Sequence, residues 1–69
     1  MEAAEIDRRF THHPPKGEQA ARYQELRELA KHLAYTINIQ CPESREKSLA
    51  VTKLEEAIFW ANAAIARNE

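Results

Sequence analysis

The chain has 69 residues with one glycine and three prolines, and 43% of its residues are hydrophobic. This length allows one domain with a small core, and the composition excludes collagenous and wholly disordered classes. Ten basic residues against eleven acidic ones give a formal charge of −1, which argues against a partner that is polymeric nucleic acid. A small anionic ligand needs only a few local cations and is compatible with this charge.

The cysteine count and the apolar runs predict a soluble, intracellular chain. Cys41 is the single cysteine and has no partner for an internal disulfide, as is usual in a reducing cytosol. The longest apolar run, residues 57–61, is far shorter than the roughly 20 residues that a membrane span needs. The acidic start is unlike a signal peptide. We therefore expect no membrane partner.

Residues 1–15 are predicted to form a short N-terminal helix followed by an arm. Glu5 precedes Arg8 and Arg9 by three and four residues, the spacing of neighbours on one helix face. Two consecutive prolines, Pro14 and Pro15, then favour an extended backbone for the segment before them.

The next two segments predict long helices, over residues 17–40 and 42–66. In the first, apolar residues recur at spacings of three and four, which is the period of one helix face; they are Tyr23, Leu26, Ala30, Leu33 and Ile37. Cys41 and Pro42 end this helix, and Pro42 suits the first turn of the following one. Its apolar residues form two stripes: Ala50, Leu54, Ala57, Ala61 and Ala64, and Val51, Ile58 and Ile65. Because the connection is short, we expect an antiparallel two-helix hairpin in an all-α fold, with residues 1–69 as a single domain.

Two amphipathic helices make a thin core, so the sequence predicts a homo-oligomer. Phe59 and Trp60 supply large apolar surfaces. Small residues around them would allow close approach of another helix, namely Ala57, Ala61, Ala63, Ala64 and Ala66. The alternative is a monomer in which the N-terminal arm covers this face.

No catalytic, metal or cofactor site is predicted. His12 and His13 are adjacent on an extended arm, where neighbouring side chains point to opposite sides, and no second pair of ligands lies at metal-binding spacing. Cys41 and His32 lack an oxyanion site, and the lone glycine forms no phosphate-binding motif. The two imidazoles are surface groups in a linker, or one of them contacts a planar ligand.

The basic residues differ in whether the sequence offers them an acidic partner. Arg22 has Glu18 and Glu25 at helical spacing, which predicts ion pairs within the helix. Arg27 and Arg67 have no acid at either spacing. Arg27 follows the aromatic Tyr23 by one helical turn and is suited to contact a phosphate or a base, although an exposed arginine with no ligand fits equally well.

Several segments together resemble a known family. They are residues 11–15 (Thr-His-His-Pro-Pro), residues 22–23 (Arg-Tyr), residues 41–46 (Cys-Pro-Glu-Ser-Arg-Glu) and residues 60–67 (Trp-Ala-Asn-Ala-Ala-Ile-Ala-Arg). This set is similar to the helical-hairpin domain of bacteriophage anti-CBASS and anti-Thoeris proteins, which sequester cyclic nucleotide messengers. The chain lacks the strand-rich part of the longer anti-Thoeris members and resembles the compact anti-CBASS type.

The resemblance implies a homohexamer that binds cyclic dinucleotides between protomers and cyclic trinucleotides where three protomers meet. In the family a tyrosine of the arm and a cation of the first long helix contact the dinucleotide. Alignment on the two prolines places His12 at the tyrosine position and Arg27 at the cation. The trinucleotide candidates are Arg8, Arg9, Thr11 and Arg67, and the candidate set is completed by Phe10, His13, Tyr23 and Lys31.

The function expected from the resemblance is viral inhibition of host antiviral signalling in the cytoplasm of an infected bacterium. The protein would sequester cyclic dinucleotides such as cyclic GMP-AMP, and cyclic trinucleotides, without cleaving them. A cyclic ADP-ribose-type ligand is compatible by analogy with the anti-Thoeris relatives. The alternative is a structural or protein-binding helical hairpin with no nucleotide ligand, and a third reading is a small enzyme acting on cyclic nucleotides.

Overall fold

The computed structural model describes residues 1–69 and consists of three helices without a strand. They are α1 (Ala3–Phe10), α2 (Gln19–Gln40) and α3 (Arg45–Asn68). Side-chain hydrogen bonds join the start of α2 to the end of α3, and the end of α2 to the start of α3. The two long helices therefore run antiparallel. The predicted all-α fold with an antiparallel hairpin is therefore confirmed. No helix combines the length and the apolar character that a bilayer span requires.

α1 is stabilised by charges placed to suit its ends. Glu5 lies in the first turn and Arg8 and Arg9 in the last, which is the favourable arrangement for the helix dipole. Both arginines donate hydrogen bonds to the Glu5 carboxylate, at 2.9 Å and 2.8 Å. These bonds hold the pKa of Glu5 down at about 2, with the Arg8 bond the larger cause. The helix ends where Thr11 takes an extended conformation.

The connections explain why each long helix begins later than the sequence suggested. Gly17 has a φ of +56°, a conformation that side chains other than glycine rarely adopt, and it turns the chain just before α2. Ser44 is the N-cap of α3, and its hydroxyl accepts a hydrogen bond from the Lys47 amide at 3.1 Å. Pro42 therefore lies in the turn and not in the first turn of α3, contrary to the prediction.

The hairpin is a single layer of helices. The molecule measures 45 × 30 × 13 Å, and its smallest dimension is close to the diameter of one helix with its side chains. No hydrophobic residue is buried, and the one buried residue is Gln19. Eleven large hydrophobic side chains are exposed, among them Trp60 and Phe59.

The helix faces in contact only partly follow the predicted stripes. Along α2 the half-buried apolar residues are Tyr23, Leu26, Ala30, Ala34 and Ile37. Leu33, which the spacing placed among them, is 47% exposed. Along α3 the half-buried large residues are Leu54, Ile58 and Ile65, whereas Ala50, Ala57 and Ala64 are exposed. These three alanines thus lie outside the helix contact, which the larger side chains fill, whereas Ala61 of the same stripe is half-buried.

Candidate functional site

A groove of about 380 Å³ forms where the N-terminal arm meets both long helices, and it is open to solvent. The arm and the end of α1 contribute Arg9, Thr11, His12 and His13. α2 contributes Tyr23 and Arg27, and α3 contributes Asn62, Ala63, Ala66 and Arg67. Seven of the ten residues in the candidate set line this one groove, which we call the arm groove.

Two of the three arginines in the arm groove have no acidic partner. Its lining includes three arginines and two histidines and no aspartate or glutamate. Arg27 and Arg67 have no carboxylate within 4 Å, and Arg27 donates instead to the amide oxygen of Gln24 at 2.7 Å. Arg9 is the lining arginine that has an acidic partner, Glu5. Such a surface is suited to bind an anion, because guanidinium groups donate paired hydrogen bonds to phosphate oxygens.

The two histidines line the same groove, although adjacent residues on an extended arm were expected to point to opposite sides. The His13 imidazole turns back toward α1, where Nε2 lies 3.0 Å from the main-chain oxygen of Arg8. Because a carbonyl oxygen only accepts hydrogen bonds, this ring nitrogen carries the proton and donates. His12 has no hydrogen bond to another residue and is exposed, so its ring is available to a ligand.

Polar atoms without partners lie in the lining. The hydroxyl of Tyr23 and the amide oxygen Oδ1 of Asn62 are both buried and have no hydrogen-bond partner. A buried polar atom left unpaired is costly, so native structures usually provide it with a partner. A ligand or a second chain at the groove could satisfy these two atoms.

Asn62 was not among the residues selected from the sequence. A signal for it was present, since it is the one polar residue in the otherwise apolar run of residues 57–66. A polar side chain inside an apolar run is expected to have a specific partner. The spacing of apolar residues along α3 did not reveal that Asn62 and Tyr23 line the same groove from the two long helices.

Three members of the candidate set lie outside the arm groove. The Arg8 guanidinium binds Glu5 and the amide oxygen of Asn68. Phe10 is 84% exposed and Lys31 lines a different, largely apolar groove between α2 and α3, of about 490 Å³. These three side chains therefore do not line the arm groove within one chain, although Arg27 lines both grooves.

The ion pairs predicted for Arg22 within α2 are wrong. Its guanidinium hydrogen-bonds both carboxylate oxygens of Glu69, which lies at the end of α3, beside the start of α2. These bonds are the main cause that raises the pKa of Arg22 and lowers that of Glu69. Spacing along a helix identified acids within reach of Arg22 but not the one that tertiary packing brings closer.

The structure brings together no group of three or more His, Cys, Asp or Glu side chains that could hold a metal ion. His12 and His13 therefore have no third ligand of these types beside them. The arm groove offers cations and hydrogen-bond donors suited to phosphate, and flat rings suited to stacking against a base.

Comparison with known proteins gives one family. The family model described as the Acb2/Tad1 hairpin domain matches residues 2–66, which is most of the chain and includes every residue of the arm groove except Arg67. No curated protein and no solved structure matches. The family match confirms the resemblance to the anti-CBASS and anti-Thoeris hairpin. Since the match spans well over half of the sequence, the chain belongs to the Acb2/Tad1 hairpin-domain family.

Proposed function

We propose that the protein binds cyclic oligonucleotides in the arm groove and sequesters them without cleavage. The observation that carries this proposal is the lining itself, in which three arginines, two histidines and a tyrosine meet with no acidic residue. A cyclic dinucleotide presents two phosphates and two flat bases, which require cations and stacking surfaces. Membership of the Acb2/Tad1 hairpin family supports the same ligand class.

The chemistry of each side chain in the groove indicates which part of the ligand it contacts. Arg27 is free of acidic partners and binds phosphate, while His12 offers a flat ring to a base. Stacking of a base on an aromatic ring contributes about 1–3 kcal/mol. Imidazole has a smaller area than the tyrosine ring more common at this position, so we expect its contribution near the lower limit.

The binding protein is a homo-oligomer, and a hexamer is the assembly that we propose. One chain alone has no buried hydrophobic residue and exposes Phe59 and Trp60 to about 64% and 62%. A chain that buries so little apolar surface lacks the main source of folding free energy. Assembly also multiplies the cations at a site, because a two-fold interface presents Arg27 twice and a three-fold junction presents Arg67 three times.

Sequestration without chemistry is supported by the absence of a reactive arrangement among the lining residues. The groove has no carboxylate, cysteine or serine, and its hydroxyls belong to Thr11 and Tyr23. Its two histidines are potential bases, but neither imidazole hydrogen-bonds a hydroxyl, since His13 contacts the main-chain oxygen of Arg8 and His12 bonds no other residue. We propose that the ligand is a host cyclic di- or trinucleotide messenger, and that binding takes place in the cytoplasm of an infected bacterium.

The proposal is tested by calorimetry with cyclic GMP-AMP and with cyclic tri-AMP, and with the linear dinucleotide as a ligand control. The variants are Arg27→Ala and Arg67→Ala. The matched control is Arg45→Ala, because Arg45 is exposed, has no carboxylate partner and lies outside the arm groove. A charge-assisted hydrogen bond contributes about 1.5–3 kcal/mol, so we expect at least about a tenfold loss of affinity.

The two variants also distinguish the proposed sites. Arg27→Ala should mainly weaken the dinucleotide and Arg67→Ala the trinucleotide, while Arg45→Ala binds both as the wild type does. The ligand should be recovered intact after the complex is heat-denatured, and recovery of a linear product would contradict sequestration. If the wild-type protein binds no cyclic nucleotide, the exposed apolar surface favours the alternative, a protein-binding hairpin.

A further inference from the structure

Two consecutive residues at the end of the hairpin are attached to opposite ends of the N-terminal arm. Arg8, in the last turn of α1, donates from Nη1 to Oδ1 of Asn68 at 3.0 Å. Lys16, which follows the arm, donates from Nζ to the main-chain oxygen of Glu69 at 2.8 Å. Since residues 11–15 lie between Arg8 and Lys16, both ends of the arm are hydrogen-bonded to the end of the hairpin at Asn68 and Glu69.

The Glu69 carboxylate is itself held by α2. Nη1 of Arg22 donates to its Oε2 at 3.0 Å, Nη2 of the same arginine binds Oε1, and Nε2 of Gln19 lies 3.4 Å from Oε1. The bond from Arg22 is also the main cause of the lowered pKa of Glu69. Gln19 is the one buried residue of the chain, at 4% exposure. The one buried side chain of the molecule is therefore polar, and it contacts Glu69, whose own side chain is 43% exposed.

The same group of residues fixes the turn that leads from the arm into α2. The Lys16 amide donates to Oε1 of Gln19 at 3.2 Å, and the Gln19 amide donates to the main-chain oxygen of Lys16 at 3.1 Å. Gln19 thus binds the turn through its main chain and side chain while it also contacts Glu69. These contacts connect Glu69 to the end of the arm.

We propose that Asn68 and Glu69 are positioning residues, which hold both ends of the arm against the hairpin and so fix the shape of the arm groove before a ligand enters. Neither residue lines the groove, so their effect acts through the arm. An arm that is ordered in advance reduces the entropy lost on binding. The effect on ligand binding rests on the proposed function, whereas the holding of the arm does not.

The holding of the arm is tested without ligand by limited trypsin digestion. The variant is Glu69→Ala, and cleavage is followed by mass spectrometry after Lys16, with cleavage after Lys53 within α3 as the internal reference. The matched control is Glu43→Ala, because Glu43 also pairs with a cation, Lys47, but at the opposite end of the hairpin. We expect cleavage after Lys16 to be at least about threefold faster in Glu69→Ala, since proteolysis follows the population of the open form.

Equal cleavage after Lys16 in the wild type and Glu69→Ala would overturn the proposal. Light scattering and circular dichroism establish that each variant keeps its assembly and helix content. If Glu69→Ala loses its assembly or its helix content, the rate of cleavage after Lys16 is compared between the wild type and Asn68→Ala instead. Asn68→Ala removes the hydrogen bond to Arg8 and leaves the Arg22–Glu69 pair intact.

The effect on binding is tested by the association and dissociation rates of cyclic GMP-AMP. In Glu69→Ala the arm conformation that is competent to bind should be less populated than in the wild type. We therefore expect association to slow by about threefold to tenfold, with dissociation unchanged. Faster dissociation with unchanged association would indicate a direct ligand contact and overturn the positioning role. If the wild-type protein binds no cyclic nucleotide, the proposed function fails, and the trypsin comparison still decides whether Glu69 holds the arm.

Discussion

Tyr23 and Asn62, on opposite helices of the hairpin, line the same groove, and each has a buried side-chain oxygen without a hydrogen-bond partner. They account for two of the three such side-chain atoms in the chain, the third being Nε of Arg22. Within a single chain these two oxygens are a cost to stability. Both atoms belong to residues that line the arm groove, where Arg27 and Arg67 also lie.

The first prediction concerns the Tyr23 hydroxyl. In the absence of ligand, Tyr23→Phe should leave the free energy of unfolding unchanged or raise it by up to about 1 kcal/mol, because it removes an unpaired buried polar atom. The control is Tyr35→Phe, whose ring is 60% exposed and whose hydroxyl already meets water. Urea unfolding at fixed protein concentration measures both. A clear loss of stability in Tyr23→Phe would mean that the hydroxyl has a partner in the assembled protein.

The second prediction concerns assembly through α3. Trp60→Glu should dissociate the oligomer, because a carboxylate buried without a partner in an apolar interface is strongly unfavourable. Trp60 is 62% exposed in the single chain, next to the equally exposed Phe59. Trp60→Phe keeps an aromatic surface and should sediment as the wild type does. A sedimentation profile unchanged by Trp60→Glu would place the interface on another face.

The third prediction concerns the turn between the two long helices. Lys47, whose side chain is 10% exposed, donates from Nζ to the main-chain oxygen of Asn38 at 2.9 Å. Lys47→Met keeps the apolar stem and removes the donor, so we expect a loss of about 1–2 kcal/mol in the free energy of unfolding. The control Lys53→Met removes an exposed pair to Glu56 and should cost less than about 0.5 kcal/mol. Equal effects in a urea titration would argue that the Asn38 contact does not stabilise the turn.

The fourth prediction concerns pH. The pKa of Glu5 is lowered from 4.5 to about 2, mainly by its hydrogen bond from Arg8 and next by that from Arg9. Because the folded-state pKa lies below the ordinary value, the stabilisation of α1 by Glu5 is complete above pH 4.5 and is lost as the pH falls toward 2.

The Glu5 titration is followed by the carboxyl carbon shift in NMR. The double variant Arg8→Gln, Arg9→Gln should return the pKa of Glu5 toward 4.5. A wild-type Glu5 that already titrates there would show that these arginines do not bind it in solution.

Much of the fold was predictable because its causes are local. Pro42 ends α2 by restricting Cys41, and Glu5 pairs with Arg8 one turn away on the same helix. Such effects act between residues three or four positions apart and can be recognised from spacing alone. The start of α3 was predicted wrongly, because Pro42 suits a first helical turn, whereas the chain begins this helix after Ser44 as its N-cap.

The candidate site was predictable in part. Arg27 and Arg67 could be selected as arginines without acidic neighbours, and the structure places both in the arm groove. Arg8 was selected with them as a trinucleotide candidate, yet its guanidinium binds Glu5 and also Asn68, sixty positions along the chain. Asn62 was missed because its significance depends on Tyr23 lying across the hairpin.

The sequence by itself determined the helices, their antiparallel order and the shortage of apolar core, because periodicity, prolines and composition act within a few residues or over the whole chain. Only the tertiary structure decided where the arm lies, that Arg8 binds Asn68 and that Glu69 binds Arg22. Those outcomes depend on distances between segments far apart in sequence, and hydrogen bonds form between whichever partners packing brings within about 3 Å.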